Sequence, residues 1–285
     1  MDPSLMKATC TSWSWSLLPF EDVAQIMSLL GFKAIDVGAF AKWAHYEPDE
    51  LATHPGQMAQ QISEIGKRYD MALTDLIVTF GADLVDHCVN FPDQSVRDAN
   101  LETFKGLTDF CNQAGIPGIT LCPGAEHASI GRDASLELAV EELTRLAEAG
   151  HQAGLRVSFE PHVESITESP KDALKVAEQV PHLEFTLDYS HFLYLGYTDA
   201  QIEPLLPHTG HFHVRQAKQG VLQCRTGEGE IDFERALTRL CELGYDGWVA
   251  FEYVWEQWLD NDRIDVLSET LVLKQQLAKF FGSGV

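Results

Sequence analysis

Four segments late in the chain end an apolar run on a side chain able to hold a cation. "RVSFE" closes on Glu160, "EFTLD" on Asp188 and "WVAFE" on Glu252, while "GHFHV" carries His213. Each run reads as a buried strand, so each ligand either faces a polar mouth or leaves a charge out of water. An unpaired buried carboxylate costs several kcal/mol, so it needs a partner. One divalent cation shared by the three carboxylates and the imidazole supplies it. This oxygen-rich set with one nitrogen suits Mn²⁺ best and also Mg²⁺ or Co²⁺, with Zn²⁺ accommodated. Four protein ligands leave two positions on a six-coordinate ion for substrate oxygens. Taken singly, an acidic residue at a strand end is as well explained as a helix N-cap. A lone histidine is more often a packed side chain. It is the joint pattern on consecutive strands that points to a metal centre.

The elements that must position these residues alternate along the whole chain. Strand-like runs cover Thr9–Leu18, Phe32–Phe40, Met71–Phe80, Pro117–Gly124, Leu155–Val163, Leu183–Phe192, Gly210–Ala217 and Gly247–Trp255. Helix-like segments cover Phe20–Gly31, Asp49–Tyr69, Ser95–Ala114, Ser135–Ala153, Pro170–Gln179, Asp199–Leu206, Asp232–Leu243 and Asp265–Phe281. Several helices end on Gly ("LLGF", "QAGI", "QAGL", "ELGY"), which permits the left-handed turn into the next strand. Short buried strands alternating with helices imply a parallel sheet covered on its outer side. Eight such units in 285 residues predict a single α/β domain over residues 1–285, a (β/α)8 TIM barrel. The rival, an open doubly wound sheet, usually carries a Gly-rich phosphate loop after its first strand, and "TSWSWSLLP" is not one.

Composition removes whole classes of function. The formal charge is −23, which repels polyanions, so no nucleic-acid partner is expected. No apolar run reaches the length of a membrane span, and the N-terminus "MDPSLMKATC" lacks the form of a signal peptide. Six cysteines lie far apart with no CxxC, which suits a reduced, cytoplasmic protein and argues against a cysteine-held zinc.

Across "SFEPH" (Ser158–His162), "LDYSH" (Leu187–His191), "GHFHVR" (Gly210–Arg215), "GEGEIDF" (Gly227–Phe233) and "GWVAFEY" (Gly247–Tyr253), the chain resembles the xylose isomerase-like barrel superfamily. This is the sugar phosphate isomerase/epimerase group, which includes ketose 3-epimerases and inosose dehydratase, and the resemblance covers nearly the whole chain. It places the group's Glu, Asp, His, Glu metal set on Glu160, Asp188, His213 and Glu252. It gives His191 a substrate contact at the offset the epimerases use, and His162 the place of a substrate-facing histidine. Arg215 suits a substrate oxygen or an acid such as Glu252. His211, two residues from His213, would support the ligands from behind. Trp13, Trp15, Phe40, Trp255 and Trp258 fall near strand ends, where aromatic faces suit either core packing or a sugar.

The resemblance implies a small-molecule carbohydrate partner and one divalent metal ion, and it allows a homo-oligomer paired through barrel helices. The implied reaction is isomerisation or epimerisation of a keto-sugar through a metal-stabilised enediolate, with Glu160 and Glu252 as the acid–base pair. The same intermediate also leads to dehydration or lyase chemistry on a keto-sugar, inosose or keto-glycoside. Gln219 stands where the epimerases carry an arginine, six residues after the ligand histidine, which leaves room for that second branch. Endonuclease IV shares the barrel but needs further histidines on strands two and three and a DxH after strand seven. His45 and His87 lie off those positions and no DxH follows His213.

Overall fold

The computed structural model describes residues 6–281. Eight strands form the barrel: β1 (Lys7–Thr11), β2 (Ala34–Phe40), β3 (Ala72–Thr79), β4 (Gly118–Leu121), β5 (Arg156–Phe159), β6 (Leu183–Asp188), β7 (Thr209–Val214) and β8 (Trp248–Phe251). Each pairs in parallel with its sequence neighbours, and β1 pairs with both β2 and β8, which closes the ring. The predicted (β/α)8 barrel is therefore the fold. Closure leaves no free edge among these strands, apart from a two-residue ladder, Ala44–His45, laid antiparallel on the end of β2.

The strands are covered on both faces, and all seven residues of β2 are buried. Outward-facing apolar side chains meet the helices, where Phe104, Leu107, Phe110, Leu143 and Leu146 belong to one continuous buried cluster. Much of the barrel interior is polar instead. Thr9 and Thr74 hydroxyls lie 2.9 Å apart and Thr120 and Thr186 2.6 Å apart, while His211 Nε2 sits 2.8 Å from Asp36 Oδ2. Buried hydroxyls usually find a hydrogen-bond partner, and here these four pair with one another. Helix entries are fixed by Asp93, Ser169, Asp232 and Asp265, each accepting from a backbone N–H of the first turn. Outside the barrel, Arg97 Nε donates to Glu142 at 2.9 Å in a buried pair that ties Gln94–Ala114 to Arg132–Gln152.

Several local expectations change, among them the following. The first strand ends at Thr11, and Ser12–Trp15 turn as a 3-10 helix. The helix expected over Asp49–Tyr69 is two, Pro48–Thr53 and Pro55–Tyr69, because a residue preceding proline is pushed out of the helical region, and His54 has ψ 48°. The strand expected through Phe192 ends at Asp188, and Tyr189–Tyr194 is a helix. The segment expected as one helix over Asp199–Leu206 is a four-residue α-helix, Asp199–Ile202, followed by the 3-10 helix Glu203–His208. No helix among the described residues is long and apolar enough to cross a membrane.

Helix Pro48–Thr53 packs on Gln94–Ala114 at Gly106, where a Cβ would stand 2.5 Å from the Ala52 carbonyl oxygen and 2.7 Å from its Cβ. Gly106→Ala is expected to lower stability by about 1–3 kcal/mol, the usual cost of overpacking. Urea titration checks this, and an unchanged midpoint would contradict the close packing.

Candidate metal and substrate site

The ligand candidates stand at the C-terminal ends of β5 to β8. Glu160 follows β5, and its N–H continues the ladder by donating to Leu121 O at 2.9 Å. Asp188 is the last residue of β6 and pairs in register with His213 on β7. Glu252 follows β8, with its N–H donating to Val214 O at 3.1 Å. Strand alternation aims all four side chains inward. Their relative exposures are 3, 0, 1 and 4 % for Glu160, Asp188, His213 and Glu252.

Three of them converge on one point. His213 Nδ1 donates to Glu160 Oε1 at 3.0 Å and lies 3.0 Å from Glu252 Oε2. Donor atoms of Glu160, His213 and Glu252 all fall within 4.8 Å of one another. Glu252 Oε1 accepts from Trp13 Nε1 at 2.9 Å, whereas its buried Oε2 accepts no hydrogen bond. That bare oxygen, beside a second carboxylate and an imidazole, fits a hard divalent cation.

Asp188 is held differently. It caps helix Tyr189–Tyr194: Oδ1 accepts from the Ser190 N–H at 2.8 Å and Oδ2 from the Ser190 hydroxyl at 2.7 Å. Arg215 reaches the same Oδ2 at 2.9 Å and lies 3.7 Å from Glu252. The capping role and the role at the charged centre thus fall on one carboxylate.

Burial and charge push the protonation of these groups apart. Burial, with Glu252 beside it, lifts Glu160 to about 7 despite the His213 hydrogen bond. Burial also acts on Glu252, but His213 and Arg215 overcome it and hold that carboxyl below the usual range. Burial raises Asp188, with Arg215 opposing. Burial works against charge on His213, yet Glu252 and Glu160 outweigh it and keep the imidazole well above its ordinary value. The imidazolium and the Arg215 guanidinium therefore stand where a cation's charge is needed.

The remaining site candidates form a second layer. Arg215 Nε donates to Ser190 Oγ at 2.9 Å, and its NH2 nitrogen to His191 Nε2 at 2.9 Å. Burial, with His162 and Arg215 nearby, drives His191 well below its ordinary value, so its ring is neutral. His162 stacks on His191 with centroids 3.9 Å apart. Its Nδ1 donates to Val163 O at 2.7 Å, which leaves Nε2 as an acceptor, and burial lowers it to about 4. Glu160, His162, Arg215 and Glu252 line a cavity of about 640 Å³ at the barrel mouth, whereas Asp188, His191 and His213 lie beneath its surface.

Aromatic rings wall this cavity. Trp43, Phe40 and Trp13 run from rim to floor, with centroids 4.7 and 5.4 Å apart in succession. Their placement needs Gly38, where a Cβ would lie 2.9 Å from the Phe40 ring and 3.1 Å from Trp13. Across the barrel, Trp258 stacks on His162 at 5.3 Å. Trp15 and Trp255 do not line the cavity. The sequence reading passed over Asp36, which partners His211, and over Ser190 and Trp43. Asp36 does end an apolar strand half ("AID"), the same signal that picked out Asp188.

A family model described as "Xylose isomerase-like TIM barrel" matches residues 24–276. Inosose dehydratase of Geobacillus kaustophilus is 22% identical over 247 residues, covering 73% of this chain and 80% of that protein. The structure of D-psicose 3-epimerase from Clostridium cellulolyticum H10 superposes with a TM-score of 0.76 at 15% identity, covering 97% of this chain and 100% of the other. That of the IolI protein with a zinc atom gives a TM-score of 0.74 at 17% identity, covering 98% and 100%. The chain belongs to the xylose isomerase-like TIM barrel family.

Proposed function

We propose that this protein is a divalent-metal-dependent sugar isomerase or epimerase acting on a keto-sugar. The observation that carries this reading is the convergence of Glu160 and Glu252 on one His213 nitrogen, each 3.0 Å away, at the floor of the cavity. Glu160, His213 and Glu252 hold the ion in this account. Asp188 completes the set, with its carboxylate shared with Ser190 and Arg215. Mn²⁺ is the favoured ion for an oxygen-rich set, and the zinc atom in the IolI structure makes Zn²⁺ a rival. A bound divalent cation would polarise the substrate carbonyl and acidify the neighbouring C–H.

The chain's own residues then divide the proton work. Glu160 and Glu252 come from β5 and β8, on different sides of the mouth. One removes the proton at the carbon beside the carbonyl. Return from the other face inverts that centre, whereas return to the adjacent carbon moves the carbonyl. His162 lines the cavity and keeps Nε2 as an acceptor, which accepts a hydrogen bond from a substrate hydroxyl. Arg215 donates to a substrate oxygen, and His191 holds Arg215 in place. The aromatic walls exclude water from the reacting carbon.

A second reading, a dehydratase or lyase on a keto-sugar, inosose or keto-glycoside, is favoured by the inosose dehydratase similarity and by Gln219 in place of an arginine. The two readings part in D₂O. Metal-loaded protein is expected to place deuterium beside the carbonyl of a ketose without loss of water. An unsaturated product would support the second reading, and no exchange with any ketose, inosose or keto-glycoside would contradict both. Glu160→Gln and Glu252→Gln should each reduce exchange by about 10²-fold or more, the usual size of a lost acid–base contribution. A variant that retains exchange would remove that residue from the pair.

Metal affinity should also depend on pH. Without metal, Glu160 titrates at about 7 and His213 is held protonated, and both must lose protons to become ligands. Affinity should therefore rise with pH through about 7, with protons released on binding. Calorimetry at pH 6 in buffers of different ionisation enthalpy checks this, and zero proton release would contradict the proposed set.

A further inference from the structure

We propose that Arg215 is a placeholder for the metal ion: it pairs with Asp188 in the metal-free protein and is released from that carboxylate when a divalent cation binds. This inference rests on the metal reading above and deepens it. Asp188, Glu252, His191 and Ser190 surround the guanidinium. Its Nη2 lies 2.9 Å from Asp188 Oδ2 and 3.7 Å from Glu252 Oε2. The same nitrogen donates to His191 Nε2 at 2.9 Å, and Nε donates to Ser190 Oγ at 2.9 Å. Arg215 is 3 % exposed, so water does little to screen its charge from these neighbours.

Both carboxylate oxygens beside Nη2 are ones the proposed ion would use. Asp188 has little left to offer it. Oδ1 accepts from the Ser190 N–H at 2.8 Å, and Oδ2 accepts from the Ser190 hydroxyl at 2.7 Å and from Arg215. A carboxylate oxygen has about two lone-pair sites, so Oδ2 is full while the guanidinium is there. A cation that takes Oδ2 must therefore displace a donor, and Arg215 is the donor whose charge opposes it. Glu252 Oε2 accepts no hydrogen bond, but the guanidinium is close enough to repel a second cation from it.

Charge balance gives the sign of the effect. Glu160, Asp188 and Glu252, when ionised, carry three negative charges, and Arg215 offsets one of them. The remainder matches a divalent ion once His213 is neutral. Without the guanidinium the whole of that charge faces the ion, so the site draws a cation more strongly. A residue that merely braced the floor would act in the opposite sense, because its loss would loosen the ligands and weaken metal binding. Ser190 and His191 are uncharged partners, so they hold Arg215 on the floor without replacing its ion pair. Arg215 also lines the cavity, and the group released from Asp188 is the one available to a substrate oxygen.

The test measures Mn²⁺ binding by calorimetry, at one fixed pH, on the full wild-type chain and on Arg215→Ala. The variant is expected to bind Mn²⁺ more tightly, by roughly tenfold or more. Loss of Arg215 leaves Asp188 buried without its ion partner, so the wild-type chain supplies a second readout that needs no variant. Its crystals grown with and without Mn²⁺ should show Arg215 Nη2 beyond hydrogen-bond distance of Asp188 Oδ2 only when the ion is bound. Equal or weaker Mn²⁺ binding by the variant, or a guanidinium still bonded to Oδ2 beside a bound ion, would overturn the inference and leave the metal site standing. Absence of Mn²⁺ and Zn²⁺ binding from wild type and variant alike would count against the metal reading itself.

Discussion

Three carboxylates, Glu160, Asp188 and Glu252, are buried beside two cationic side chains, His213 and Arg215. With all three carboxylates ionised and His213 protonated, this cluster carries one excess negative charge on side chains that are 5 % exposed or less. Desolvation of that charge is costly, and removing one partner of such a cluster typically costs about 3–5 kcal/mol. Exchange of the imidazolium proton for a divalent cation would bring the cluster to neutrality. The bare Oε2 of Glu252 and the raised protonation of Glu160 are the local signs of the same imbalance. The orientation of Arg215 follows from how that charge is shared, whereas burial, with His162 and Arg215 nearby, keeps His191 neutral.

The barrel supports this centre from two directions. Each ligand candidate sits at or just past the end of a strand whose neighbours are fixed by parallel pairing around a closed ring. The backbone positions of Glu160 and Glu252 are set by ladder bonds to Leu121 and Val214, so the two side chains start from fixed points on the barrel rim. Below them, Asp36 and His211 form a second buried pair, tied through Thr9 and Thr74 to β1 and β3. The apolar packing is displaced to the outside of the barrel, where helices cover the strands. This leaves the interior free for polar side chains, and each of those side chains must then find a partner.

The ring of strands was legible because each strand is a short, apolar, doubly buried run, and because glycines mark many of the helix ends. The ligand candidates were legible because each ends such a run with a charge. The finer structure was not, for local reasons. Asp188 reads as a strand terminus, yet its carboxylate also caps the helix that begins at Tyr189, and one residue pattern serves both roles. The break at Pro55 was written in the sequence as His54-Pro55 and is a backbone effect that apolar periodicity conceals. Asp36 carries the strand-end signal but sits deeper in the barrel, bonded to Thr74 and His211, because its strand runs on to Phe40. Trp43 lies after Lys42, whose φ of 64° turns the loop back over the mouth, and nothing in a single sequence marks that turn.

A crystal of the protein grown with Mn²⁺ and measured at the manganese absorption edge tests the central claim most directly. The account predicts one anomalous peak on the cavity floor within bonding distance of Glu160, His213 and Glu252, with the His213 nitrogen turned from Glu160 to the ion. A peak elsewhere, or an empty floor at saturating Mn²⁺ and also at saturating Zn²⁺, would contradict it.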